Sequence, residues 1–199
     1  DGDYLWDVPY TNTAYTNCRV KVTHSTNSSI YDISDASFTI NPPAISVIAP
    51  NGVENYVVGE KYPIHWNCTG DFSGGVAIEY STDGGSNWYT ITSNTTNDGD
   101  YSWTIPNAPS TSCRVRVSNA SDPNLSDMSD NNFTISRPTI TVTRPNGGET
   151  YRVGEYHPIH WNWTGDFSAV AIEYSTDGGG IWNTITSSTT NDGSYPWIV

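Results

Sequence analysis

The sequence predicts an all-β protein built of tandem immunoglobulin-like antiparallel β-sandwiches. Strand-forming Val, Ile, Thr, Tyr and Trp alternate with clusters of Gly, Asn and Asp, which favour turns. Long helical runs are scarce, and the chain holds 8 Trp and 13 Tyr, more than a disordered chain carries. Several short strands separated by regular turn signals are typical of a sandwich domain.

An internal repeat organises the chain. YPIHWNCTGDFS at 62–73 returns as HPIHWNWTGDFS at 157–168. Trp66 returns as Trp161, 95 residues later, and VAIEYSTDGG returns at an offset of 94 residues because one residue is missing between the two motifs. A repeat of this length corresponds to one whole domain rather than to one supersecondary unit.

The repeat defines three modules. DGDYLWDVP at the N-terminus matches DGDYSWTIP farther along, so the first residues belong to the same series. We expect the back part of one module at 1–40, a complete module at 41–136 and the front part of a third at 137–199. Both ends of the sequence fall in the same NDGxYxW segment, so we expect it to be a window on a longer tandem array.

Alternating apolar and polar residues in the complete module predict about seven strands and a closing strand. They are placed near 44–49, 55–58, 61–68, 76–82, 87–93, 101–105, 113–118 and 131–136. Because side chains alternate across a strand, Cys113, Val115 and Val117 are expected on one face and Arg114 and Arg116 on the other.

Composition excludes several functional classes. The chain has 21 Asp and Glu against 8 Lys and Arg, a net charge of −13. Such a chain repels nucleic acid and anionic lipid, so we predict no nucleic-acid partner. No apolar stretch approaches the roughly 18 residues of a membrane span, which predicts no membrane insertion in this segment. No nucleophile–base pair or phosphate loop recurs, so no enzymatic activity and no catalytic residue are predicted.

The chain is rich in acceptors for N-glycosylation, which favours an extracellular or cell-surface location. Asn, Ser and Thr are common here, so some of these motifs arise by chance. The candidate acceptors are Asn27, Asn67, Asn94, Asn119, Asn124, Asn132 and Asn162.

The string Ser-Thr-Asp-Gly-Gly, two residues and Trp occurs at 81–88 and 175–182. It resembles the Asp-box of sialidase-type β-propellers, but propeller blades repeat about every 40–50 residues. We therefore predict a hairpin turn in which each Asp accepts backbone N–H bonds, the glycines take positive φ and Trp88 packs over the turn. The turn residues are Asp83, Gly84, Gly85, Asp177, Gly178 and Gly179.

The three cysteines leave two interpretations open. Cys68 and Cys113 are expected on inward faces of two strands that a disulfide bridges in many immunoglobulin domains. Two buried free thiols are the alternative, because Trp163 replaces Cys68 in the third copy. Cys18 matches Cys113 in the first copy.

Acidic residues cluster near the end of the complete module. Asp122, Asp127 and Asp130 lie close together in sequence, and Asp32 and Asp35 lie similarly in the first copy. Carboxylates at a module junction can hold Ca²⁺ and stiffen a tandem array, which makes Ca²⁺ the one candidate cofactor. Solvated acidic loops are the alternative.

The opening of the third copy, PNGGETYRVGEYHPIHW at 145–161, resembles the Ser/Thr-rich cell-wall-anchored domain family, which is also found in yeast cell-wall assembly proteins. The middle copy departs from this pattern at 51–56, where Val53 replaces the second Gly. The resemblance covers nearly the whole chain. It implies an extracellular β-sandwich of the kind found in tandem in large secreted bacterial and archaeal surface proteins, without catalytic activity.

These observations predict a non-enzymatic structural repeat of an extracellular fibre, stalk or adhesin. The parts at 1–40 and 137–199 together contain every strand of one module, so copies of the chain can join head to tail by strand complementation. In a longer continuous polypeptide, neighbouring modules would bring the same parts together. The alternative is a carbohydrate-binding module of a secreted glycoside hydrolase, in which exposed aromatics such as Trp88 and Trp182 stack on glycans.

Overall fold

The protein is described from a computed structural model that covers residues 2–70 and 74–199. The Asp71–Ser73 part of the repeated GDFS motif lies outside these residues. Strands account for the regular structure, and no helix occurs in the described residues, which confirms the predicted all-β class. It follows that the described chain offers no helix with the length and apolar character of a membrane span.

The strands are numbered in chain order. The N-terminal part contains β1 (Tyr15–Cys18), β2 (Lys21–His24), β3 (Asn27–Ile33) and β4 (Phe38–Ile40). The middle module contains β5 (Ala44–Ala49), β6 (Asn55–Val57), β7 (Lys61–Thr69), β8 (Val76–Ser81), β9 (Tyr89–Thr95), β10 (Asp100–Thr104), β11 (Ser110–Asn119), β12 (Ser126–Met128) and β13 (Phe133–Ser136). The C-terminal part contains β14 (Thr139–Arg144), β15 (Ile159–Thr164), β16 (Ala169–Tyr174), β17 (Asn183–Thr190) and β18 (Ser194–Tyr195).

The middle module is an immunoglobulin-like sandwich of two sheets. One sheet has the order β10-β7-β5, and the other has the order β6-β13-β11-β8-β9 with β12 paired to β11. All pairings are antiparallel except that of β6 with β13. The inner faces enclose one core, whose largest fully buried side chains include Ile64, Trp66, Val76, Ile78, Ile105, Val115, Val117, Phe133 and Ile135.

The predicted faces of β11 are confirmed. Cys113, Val115 and Val117 of β11 are all buried, whereas Arg114 and Arg116 are partly exposed on the other face. The sequence did not predict β12. Its three residues carry no apolar alternation, and they form a strand because the edge of β11 is available to them.

The N-terminal part repeats the back of the middle module in its pairings. In β1 and β4, Cys18 pairs with Phe38, as Cys113 pairs with Phe133 in β11 and β13. The register of β2 with β3 likewise reproduces that of β11 with β12. The sequence repeat therefore extends to the hydrogen-bonded ladder.

The C-terminal part repeats the front of the middle module in the same way. Val142 pairs with Trp161 in β14 and β15, as Val47 pairs with Trp66 in β5 and β7. The pairings of β16 with β17 and of β15 with β18 match those of β8 with β9 and of β7 with β10. A smaller core forms there around Trp161.

Candidate functional site

The Asp-Gly-Gly turn of the middle module is held by a buried serine and a carboxylate. The Ser81 hydroxyl donates to Asp83 Oδ1 at 2.7 Å and accepts the Gly85 N–H at 2.9 Å. Asp83 Oδ1 also accepts the N–H groups of Ser86 and Asn87, each at 2.9 Å. These bonds satisfy the backbone donors of the turn, as the sequence predicts for an Asp at this position.

The C-terminal copy forms the same turn. The Ser175 hydroxyl donates to Asp177 Oδ1 at 2.6 Å, and that oxygen accepts the N–H groups of Gly180 and Ile181 at 2.9 Å. The paired glycines have positive φ in both copies, a region that Gly enters without steric strain. Their φ values are 75° for Gly84, 100° for Gly85, 77° for Gly178 and 100° for Gly179.

Trp88 covers this turn and is half-buried. A Cβ atom at Gly85 would lie 3.3 Å from the Trp88 ring, so the ring lies directly against the turn. The Arg116 guanidinium lies over the ring, 4.4 Å from its centroid, in a cation–π contact. Trp88 thus has structural partners at the turn and on β11.

We predict that the stability of the middle module depends on pH through Asp83 of this turn. Its hydrogen bonds, above all the one from the Asn87 side chain, lower the pKa of Asp83 from 3.8 to about 2. The ionised Asp83 carboxylate therefore stabilises the fold fully above its unfolded pKa of 3.8, and this stabilisation is lost as the pH falls through the folded pKa of about 2.

We expect Asp83→Asn to remove this part of the acid dependence, measured as the thermal midpoint against pH. The matched Asp3→Asn variant should keep the wild-type profile, and identical profiles for Asp83→Asn and wild type would contradict the prediction.

A second repeated loop explains the Pro-Asn-Gly motif. The Glu54 carboxylate accepts the N–H groups of Asn51 and Gly52 at 2.9 and 2.8 Å. Glu149 makes the same two bonds in the C-terminal copy, and they lower its pKa. The motif therefore carries a carboxylate that closes its own loop. Val53, which replaces the usual Gly, keeps a positive φ of 69°.

The front part of the middle module (residues 41–105) binds its back part (residues 110–136) along two strand edges. β8 pairs antiparallel with β11 from Val76 opposite Asn119 to Ser81 opposite Arg114. β6 pairs parallel with β13. These two ladders join the front and back parts of one sheet.

Polar side chains reinforce this junction. The Arg116 guanidinium on β11 donates to Glu79 on β8, with an Nε–Oε2 distance of 3.0 Å. Asp127 Oδ2 accepts the Val47 N–H at 2.8 Å across the two sheets. At the module end, Asn51 Nδ2 donates to Asp130 Oδ2 at 2.9 Å, and the Asp130 N–H donates back to Asn51 Oδ1 at 2.6 Å.

The structure differs from the predicted calcium cluster. Asp127 and Asp130 turn toward the front part of the module and bind its backbone and Asn51, as described above. Asp122 instead caps its own loop by accepting the Asn124 N–H at 3.2 Å, and it accepts the Tyr10 hydroxyl at 3.3 Å. In residues 2–70 and 74–199, no three or more His, Cys, Asp or Glu side chains are grouped so as to hold a metal ion.

Of the two interpretations left open for the cysteines, the structure has the free thiols, since Cys18, Cys68 and Cys113 form no disulfide. The half-buried Cys68 donates to Asn97 Oδ1 at 3.1 Å, and the fully buried Cys113 donates to the Ser110 carbonyl at 3.4 Å. Burial raises the pKa of both thiols, which keeps them protonated as donors. The Cys68 sulfur is thus directed to the loop between β9 and β10, and the Cys113 sulfur to a carbonyl of its own strand.

The candidate glycosylation sites differ in exposure. Six of them are exposed: Asn27, Asn67, Asn94, Asn124, Asn132 and Asn162. Asn119 is buried, and its Oδ1 accepts the Ser121 N–H at 2.8 Å. The interior position of Asn119 makes it unsuitable for a glycan, a difference that follows from its place at the end of β11.

Both terminal parts expose residues that are buried in the middle module. Val117 is 0% exposed, whereas Val22, its counterpart in the N-terminal part, is 72% exposed. Val47 is 4% exposed, whereas its C-terminal counterpart Val142 is 47% exposed. The C-terminal face also contains a cavity of about 630 Å³, lined by Val142, Tyr151, Ile159, Ile172, Trp182 and Trp197. We call the exposed surface of the N-terminal part (β1 to β4) the back face and that of the C-terminal part (β14 to β18) the front face. Each is named after the part of the middle module that it matches.

Comparisons with protein-family models and with curated proteins gave no match. Among solved structures, the chain is similar to the fibronectin(III)-like modules of Clostridium thermocellum CbhA, with 14% sequence identity. This similarity covers 78% of this chain and 78% of that chain, at a TM-score of 0.27. A TM-score this low supports no argument, so the immunoglobulin-like description depends on the strand order given above. The resemblance to the Ser/Thr-rich cell-wall-anchored family stays a prediction.

Proposed function

We propose that this chain is a non-enzymatic structural repeat of an extracellular fibre, stalk or adhesin. One observation carries the proposal: the polar residues that recur between modules are used in hydrogen bonds that build the module. Asp83 and Glu54 close loops, and Asp127 joins two sheets. Residues that recur for these reasons maintain the fold of each module, and the repeated modules set the length and stiffness of an array. Such residues do not point to a catalysed reaction.

Surface properties support an extracellular location. The net charge of −13 keeps such an array soluble, and the exposed Asn-x-Ser/Thr acceptors suit a secreted surface. The resemblance to cell-wall-anchored domains points to the same location. In this proposal each module transmits tension through its own buried core.

The alternative is a carbohydrate-binding module, favoured by exposed aromatic rings such as Trp182 and Tyr89. The contacts of Trp88 with the turn and with Arg116 count against its use as a stacking platform.

A polysaccharide array separates the two functions. We expect the chain to bind none of the plant, fungal and bacterial wall polysaccharides presented. Saturable binding that is lost in Trp88→Ala or Trp182→Ala, while circular dichroism shows an intact fold, would overturn the structural proposal. Tyr4→Ala, at an exposed position outside any strand, is the matched control.

A further inference from the structure

We propose that the linker between two consecutive modules docks on the module that follows it. The last proline of each linker lies against the glycine directly after β7 or β15, Pro43 on Gly70 and Pro138 on Gly165. Bending of the array is thereby confined to the one or two residues that precede this proline. The inference rests on the proposed structural function and adds how an array keeps its direction.

Both linkers are short. The first is residues 41–43, between β4 and β5, and the second is residues 137–138, between β13 and β14. Each of them ends in a proline that directly precedes the first residue of a strand. Because the reach and freedom of a linker fall with its length, these leave little chain about which two modules can pivot.

The strand after each proline is held from its first residue. Ala44 pairs with Thr69 in β5 and β7, and Thr139 pairs with Thr164 in β14 and β15. In the second case the Thr139 N–H also donates to Thr164 Oγ1 at 3.1 Å, and the two hydroxyls lie 2.9 Å apart. The backbone is therefore fixed immediately beyond the linker.

The proline itself contacts the following module. A Cβ atom at Gly70 would lie 3.0 Å from both Cα and Cβ of Pro43. At Gly165 the corresponding distance to Pro138 Cβ would be 2.7 Å, closer than real Cβ atoms approach. Pro43 is half-buried and Pro138 is exposed, yet both meet the glycine at the same place in the fold. A contact that recurs and has no room for a side chain is a seat for the linker.

A positive φ does not by itself explain this contact. The φ values are 78° at Gly70 and 99° at Gly165. Gly59 and Gly154 have similar φ values of 89° and 87°, but in the part of the chain that the structure describes no atom would lie within 4 Å of a Cβ there. Gly70 and Gly165 therefore combine the turn conformation with a close approach of the linker.

The end of the preceding module holds the other side of the second linker. The Val58 N–H donates to the Ser136 carbonyl at 3.0 Å, and the Ser136 hydroxyl donates to the Tyr56 carbonyl at 3.4 Å. Arg137 is then the only residue between the fixed Ser136 and the docked Pro138. A residue that precedes proline is restricted to extended backbone, so Arg137 is a pivot of narrow range.

The first linker is stiffer by the same reasoning. Pro42 occupies the place of Arg137, and its ring fixes its own φ at about −65°. Asn41 precedes a proline as well, so it is also restricted to extended backbone. An array of these modules therefore keeps its direction through its linkers.

Residual dipolar couplings of the backbone N–H groups test the docking in the weakly aligned 199-residue chain. In the wild type, the couplings of residues 44–136 and 139–195 should fit one common alignment tensor. Gly165→Ala should remove the common tensor, because the new methyl group displaces Pro138. Gly154→Ala is the matched control, since it places the same methyl group at a positive φ without a neighbour, and it should keep the common tensor.

A second variant separates displacement of the linker from strain at the glycine. Pro138→Ala removes the docked ring and leaves the Gly165 backbone unchanged, and it should also remove the common tensor. In the middle module, a nuclear Overhauser contact between Pro43 and Gly70 should be present. Gly70→Ala should abolish this contact, whereas Gly59→Ala should keep it.

Three results would overturn the proposal. They are a wild-type chain whose two ranges need separate tensors, a missing Overhauser contact between Pro43 and Gly70, and a common tensor that survives both Gly165→Ala and Pro138→Ala. Glycan binding would instead overturn the structural function and leave the couplings unchanged, so the two failures are distinguishable.

Discussion

Val117→Asp is expected to unfold the middle module, whereas Val22→Asp, the same change in the first copy, should leave that module intact. Val117 is fully buried between Ile78 on β8 and Asp127 on β12. A carboxylate there has no cation to pair with, and an uncompensated buried charge costs about 3–5 kcal/mol. That is a large share of the roughly 5–15 kcal/mol by which a domain is stable.

The pair of variants is measured by urea denaturation of the whole chain, followed by circular dichroism. Val22 is mostly exposed and lies outside the middle module. Val22→Asp should therefore change the free energy of unfolding of that module by no more than about 0.5 kcal/mol. Equal destabilisation of the middle module by both substitutions would contradict the prediction.

Trp66→Ala is expected to destabilise the middle module by about 3–5 kcal/mol. Trp66 is 2% exposed in the centre of the core, and its indole N–H donates to Asn97 Oδ1 at 2.9 Å. The substitution leaves a large cavity and removes that bond. Trp66→Phe keeps most of the volume and loses the bond, so we expect a smaller loss of about 1–3 kcal/mol.

Trp161→Ala is the matched control for this prediction. Trp161 is also buried and donates to Asn191 Oδ1 at 2.7 Å, but it belongs to the C-terminal part. Its removal should leave the thermal midpoint of the middle module unchanged while weakening the front face. A thermal scan that shows equal shifts for Trp66→Ala and Trp161→Ala would mean that the three parts unfold as one unit.

The middle module thus serves as an internal reference for the terminal parts. It has both the front and the back strands, and their pairing buries Val117 and Val47 in one core. The terminal parts repeat the same registers, but Val22 and Val142, the counterparts of Val117 and Val47, are exposed in them.

The sequence by itself determined the fold class, most strands and the turn geometry. Alternation placed Val115 and Val117 inward because side chains on a strand alternate between faces, a local rule. The Asp-Gly-Gly string predicted the turn around Asp83 because an Asp carboxylate binds backbone groups within a few residues of itself. Repeat spacing also predicts the division into modules, because a repeat is recognised from the order of residues alone.

Only the tertiary structure decided how the acidic residues and the cysteines are used. Asp127 binds the N–H of a residue 80 positions earlier, and Asp130 binds Asn51 across 79 positions. Nearness in sequence suggested a shared metal site for these carboxylates, but the edges of β5 and β12 turn them toward different partners. Likewise, the Cys68 thiol binds Asn97, 29 positions later, whereas the Cys113 thiol binds a carbonyl only three positions earlier. Contacts between distant segments depend on the whole fold, and no local pattern in the sequence encodes them.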